Sequence, residues 1–157
     1  MIESIQQSFT RWISGLKELN YWDRLKHLNL MSLQRRRERY IIIHTWKIIN
    51  NLCPNDVGLV VNDNKRLGIK LCYPPINARA TSAATTAYEN SFSVRAVKLW
   101  NILPSHINTK TTLQSFKTSL GAFLKTIPDN PPTVGYTTAN SNSLVDWKGQ
   151  HGGPRFV

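Results

Sequence analysis

The segment SLQRRRERYIIIHTWKIIN, residues 32–50, constrains the fold most tightly. At about 100° per residue, Leu33, Tyr40, Ile41, His44 and Ile48 fall on one stripe, and Ile42, Trp46 and Ile49 fall on a second. A helix that is apolar on two sides has to be covered on both, so its C-terminal half is expected in the core of a helical domain. Ser32 is placed to start the element, and Asn50-Asn51 followed by Pro54 to end it.

Shorter helices are predicted around it. Ile2, Ile5, Phe9, Trp12, Ile13 and Leu16 recur at steps of three and four, giving an amphipathic helix over about 2–14 with Gly15 as its stop. Asn20 with Asp23 reads as an N-cap and a first-turn acid, and Leu25 and Leu28 continue the apolar face of a second helix. Phe92, Val97 and Trp100 suggest a helix ending before Leu103-Pro104. Thr111 and Gln114 form a capping box for a last one carrying Leu113, Phe116, Leu120, Phe123 and Leu124. In the centre, Arg66-Leu67-Gly68-Ile69-Lys70-Leu71 alternates weakly as a short strand stopped by Pro74-Pro75, and the Ala/Thr-rich stretch 78–87 reads as loop. The expectation is a mainly α fold, a small helical domain of four to five helices with an irregular central loop.

Charge sets the expected boundary. The 157 residues carry a net +11, and 41% are hydrophobic, enough to build a core. Residues 1–50 hold 9 basic and 4 acidic groups, residues 51–126 hold 9 and 3, and residues 127–157 hold 2 and 2. A helical basic domain over 1–126 is therefore predicted. The Pro/Gly/Asn-rich stretch 127–157 reads as a disordered tail with Leu144, Val145 and Trp147 as its docking points.

Several function classes find no support. The longest apolar run, Tyr40 to Ile43, is far short of the roughly 20 residues a membrane helix needs. Met1-Ile2-Glu3-Ser4 is not the basic start of a secretory signal, so an intracellular location is expected, with the nucleus favoured. Cys53 and Cys72 lack CxxC spacing, and with His27, His44, His106 and His151 they offer no short ligand spacing, so neither a metal site nor a cofactor is predicted. Among the nine acids no two are adjacent, as a two-metal site for phosphoryl transfer would require. Phosphate-loop, nucleophile-elbow and HExxH motifs are absent too, and no catalytic residue is assigned.

IESIQQSFTRWISGLKELNYWDRL (2–25), SLQRRRERYIIIHTWKIIN (32–50), NSFSVRAVKLWNILP (90–104) and LQSFKTSLGAFL (113–124) occur in that order. Together they resemble successive blocks of the C-terminal region of reverse transcriptases from non-LTR, jockey-like LINE retrotransposons. The tail IPDNPPTVGYTTANSNSLVDW (127–147) resembles the end of such polyproteins. The resemblance implies a fragment without the polymerase and endonuclease domains that precede this region in the family. It also implies the polymerase domain of a parent element as a partner.

The basic residues supply the candidate site. Arg35, Arg36 and Arg39 fall within an arc of about 100° on the third helix, with Lys47 two turns on. Such an edge suits a phosphate backbone, and its alternative is a solvated helix face. Trp46 shares the stripe of Arg35 and Arg39 and is the aromatic placed to stack on bases, while Arg95 and Lys98 border a second edge. Arg37 lies on the Leu33/Tyr40/Ile41 stripe and is expected to be structural, paired with Glu3, Glu18 or Asp23. Trp12 and Trp100 are expected in the core. The predicted function is sequence-independent binding of RNA or DNA; the alternative is a structural module that packs on the missing polymerase thumb.

Overall fold

The computed structural model describes residues 2–62, 68–76, 81–134, 136–138 and 141–150. In chain order the elements are α1 (Ile2–Arg11), α2 (Tyr21–His27), α3 (Leu33–Ile49), β1 (Val60–Asn62), β2 (Lys70–Cys72), α4 (Ser82–Asn90), α5 (Phe92–Asn101), α6 (Ser105–Asn108), α7 (Leu113–Lys125), β3 (Thr133–Val134), β4 (Thr137–Thr138) and α8 (Leu144–Gln150). The mainly helical class holds, with eight helices among the described residues where four to five were expected. The chain divides into two compact units, Met1–Glu38 with Ile127–Val157, and Arg39–Thr126.

In the first unit α1 packs on α2, which begins where Asn20 accepts a hydrogen bond from Asp23 N. Leu16, Tyr21, Leu25, Pro132 and Leu144 are its buried apolar residues among those described. The first turn of α3 contains no acid of its own. The free N–H groups there are satisfied from other elements: Ser32 N by Asp129, Leu33 N and Gln34 N by Glu3, and Arg35 N by the Ser32 hydroxyl. Residues beyond 126 therefore belong to this unit through Pro128, Asp129, Asn142 and Leu144, which differs from a domain that closes at 126. The Trp147 indole donates to Asn130 O at 2.8 Å, and residues 151–157 lie outside the described residues.

The second unit has an aromatic centre. Trp46 and Trp100 both stack on Phe116, at centroid distances of 5.4 and 6.0 Å. Each indole N–H finds a carbonyl, Trp46 at Lys110 O and Trp100 at Ile69 O, so burial strands no donor. β1 and β2 pair antiparallel with Val61 opposite Leu71. The Asn101 amide pairs with both Leu71 N and Leu71 O, acting as a third strand on the outer side of β2. Gly68 has φ +73°, and a Cβ there would meet the Asn108 amide oxygen at 3.1 Å, so glycine lets the chain approach α6.

Local expectations are corrected at three places. Residues 82–87 belong to α4, not to a loop: Thr81 caps the helix by accepting from Ala84 N, and alanines favour helix, while 78–80 lie outside the described residues. The cap of α7 is Thr112, whose hydroxyl accepts from Ser115 N, rather than Thr111. The strand covers Lys70–Cys72, with Arg66 and Leu67 outside the described residues.

Candidate nucleic-acid interface

Arg35 is 1% exposed and cannot serve as a phosphate contact. Its guanidinium donates to Pro128 O at 3.0 Å and Asn142 O at 3.2 Å, and its Nε lies 3.6 Å from Asp129 Oδ1 and 4.0 Å from Glu38 Oε2. Glu38 is also buried, and its two oxygens accept from Leu144 N at 3.2 and 3.1 Å, where α8 begins. Ser32, Asp129 and Asn142 complete the network, with Asn142 donating to Ser32 Oγ and Asp129 Oδ1. Burial pushes Glu38 up and Arg35 down from their ordinary values, because removing either charge from water costs more than its partners return. The cluster is a clamp holding Pro128, Asp129, Asn142 and Leu144 within their unit.

Arg37 takes the place expected of Arg35. It is exposed, and no ion pair among the described residues joins it to Glu3, Glu18 or Asp23: Glu3 accepts from the Tyr21 hydroxyl and from Leu33 N and Gln34 N, and Asp23 pairs with Lys26 at 3.6 Å. The physical reason is the phase of α3. Its buried positions are Arg35, Glu38, Ile42, Ile43, Thr45, Trp46 and Ile48, whereas Tyr40 and His44 are exposed and Leu33 and Ile41 half-buried. Two charged residues lie on the inward face with polar partners there, although Arg35 bonds through Nη2 alone and its Nε and Nη1 are left with only the nearby carboxylate charges.

Trp46 is buried in the aromatic centre and is unavailable for stacking on bases. Trp100 is fully buried, as expected. Trp12 is the reverse of its expectation: it is 86% exposed, with Phe9 at 71% and Ile5 at 68%. The apolar stripe of α1 faces outward because its opposite face is held by polar contacts. Glu3 reaches the start of α3, Gln6 donates to Met31 O, and the Arg24 guanidinium donates to Thr10 Oγ1 and Gln7 O.

Of the remaining candidates, Arg36 lies half-buried in the first unit and Arg39, Lys47, Arg95 and Lys98 lie half-buried in the second. His44 and Phe92 meet edge-on at 5.6 Å, joining α3 to α5; Lys47 is one turn from His44 and Arg95 one turn from Phe92. Lys70 is not part of such an edge, since its ammonium donates to Asn101 O at 2.7 Å and burial lowers its pKa. The second unit holds 11 Lys or Arg against 3 Asp or Glu, a net +8, and the first holds 9 against 6, a net +3. All three ion pairs among the described residues lie in the first unit.

The network residues Ser32, Glu38, Asp129 and Asn142 were not expected as a group. The i, i+3 spacing of Arg35 and Glu38 is a visible signal for half of it; Asp129 lies 97 residues from Ser32 and leaves none. Among the described residues, no group of three His, Cys, Asp or Glu is placed to hold a metal ion, and no helix is long and apolar enough to cross a membrane. Comparison with protein-family models, curated proteins and solved structures finds no match for this chain.

Proposed function

We propose that the chain is a non-catalytic region that binds RNA or DNA without sequence preference, a reading drawn from its charge and compatible with its resemblance to the C-terminal region of retrotransposon reverse transcriptases. The second unit supplies the charge. The observation carrying this reading is its net +8, with no ion pair among its described residues. Cations left unpaired over an apolar core repel one another until a polyanion meets them, and binding then gains from the release of counterions. Arg39, Lys47, Arg95 and Lys98 are the proposed phosphate contacts. Burial removes Arg35 and Trp46 from that set. Contacts of this kind position a backbone and carry no base information, so little discrimination between sequences follows. In a parent element such a region would hold template or target close to the polymerase domain.

A salt titration tests the reading. If four phosphates are neutralised on duplex DNA, log K should fall with log[salt] at a slope of about −3.6. A flat profile refutes it.

A further inference from the structure

We propose that the outward face of α1 is a base-stacking platform for single-stranded nucleic acid, with Phe9 and Trp12 supplying the rings and Arg11 and Lys17 the cations. The inference rests on the nucleic-acid reading above and deepens it, by assigning a strand preference that the basic second unit does not provide.

Three observations carry it. The rings are presented to solvent by construction, because Glu3, Gln6 and Thr10 fix the opposite face of α1. The apolar groove at Ile5, Phe9 and Trp12 and the cationic groove at Arg11 and Lys17 are adjacent, sharing Ser4 and Ser8 as a common wall. Finally, Glu3 is the only acid of α1 and its carboxylate is turned inward, so no α1 carboxylate offsets Arg11 beside the exposed rings; Lys17 adds a second cation, with exposed Glu18 next to it in the chain. Aromatic faces beside cations are how single strands are held: each base offers a π-face to a ring while its phosphate meets a positive charge. A duplex keeps its bases stacked inside and gives the rings nothing to cover.

A second copy of the chain is the other natural occupant of an apolar stripe. A two-fold pairing brings the same patch to both sides, so it would collect Arg11 and Lys17 of both copies against Glu18 of each, a net positive charge in one interface. Charge complementarity favours the strand.

The experiment compares a fluorescently labelled oligothymidine of about 12 nucleotides with a duplex of the same length, using the full chain and its Phe9→Ala/Trp12→Ala variant. The parent chain should prefer the single strand, and the variant should lose about tenfold in single-strand affinity per ring removed while duplex affinity stays within about twofold. Equal losses on both probes, or none, overturn the stacking role and leave salt-sensitive duplex binding standing; absence of binding to either probe overturns both readings. If the variant instead converts a dimer to a monomer with single-strand affinity unchanged, the face is a self-interface and the proposal fails. Ultraviolet crosslinking of the unmodified chain to the oligothymidine gives an independent readout. Adducts should map to Phe9 or Trp12, and adducts confined to other residues contradict the proposal.

Discussion

The two units solve the burial problem in opposite ways. Among the described residues, the second buries sixteen apolar side chains with Thr45 and Asn108 as its buried polar ones, while the first buries five apolar side chains, Pro132 among them, with Thr10, Arg24, Ser32, Arg35, Glu38 and Asn142. Apolar burial is non-directional and tolerates imperfect fit; a buried charge network gives a favourable balance only when every member is in place. The first unit has therefore spent Arg24, Arg35 and Glu38 on structure, while Arg11, Lys17 and Arg37 stay exposed. The second leaves its cations at the surface, where a polyanion can reach them.

The contrast is broken most sharply at Arg35. Arg35→Ala removes the cation between Glu38 and Asp129 and its hydrogen bonds to Pro128 O and Asn142 O, and it should destabilise the first unit by about 3–5 kcal/mol, measured by denaturant unfolding. Arg37→Ala, two positions on and exposed, should stay within about 0.5 kcal/mol. Equal effects would mean that the clamp does not hold. A comparable loss of about 3–5 kcal/mol is expected for Phe116→Ala, which removes the ring on which Trp46 and Trp100 stack, but this loss should appear in the second unit.

Hydrogen exchange sharpens the comparison without mutation. Amides of α1 and α8, in the unit with few buried apolar contacts, should open at free energies a few kcal/mol below those of α5 and α7. Uniform protection would show the units to be equally stable.

The smallest effect is a pH dependence. Burial raises the pKa of Glu38, so the folded chain holds that proton more tightly than the unfolded chain, whose value is about 4.3. Its contribution is fully present below that value and is lost as pH rises through the raised folded value. Glu38→Gln keeps an oxygen for Leu144 N and should flatten this part of the stability profile. An unchanged profile would place the titration elsewhere.

The sequence was most readable where apolar periodicity and core coincide. Trp100, Phe116, Leu120 and Leu124 are buried as their spacing implies, and the Asn20 cap stands where its residue type placed it. It misled where polar residues face inward. The stripe Ile5, Phe9, Trp12 has the spacing of a core face, yet hydrogen bonds of Glu3, Gln6 and Thr10 turn it outward, and periodicity alone cannot distinguish these orientations. Arg35 and Arg37 were exchanged for the same reason. The partners that make Arg35 burial tolerable, Pro128, Asp129 and Asn142, lie in a stretch whose prolines and polar residues resemble a linker. A buried polar network depends on pairings across about a hundred residues, and composition carries no trace of them.

The central claim is that the cations of the second unit, and not the arginine buried in the first, meet nucleic acid. Its most direct test is the salt dependence of duplex binding for Arg39→Gln/Lys47→Gln/Arg95→Gln/Lys98→Gln against the parent chain. The variant should retain the helical circular dichroism signal while the slope of log K against log[salt] shrinks by about 3.6 units, to near zero. An unchanged slope in a folded variant would contradict the account.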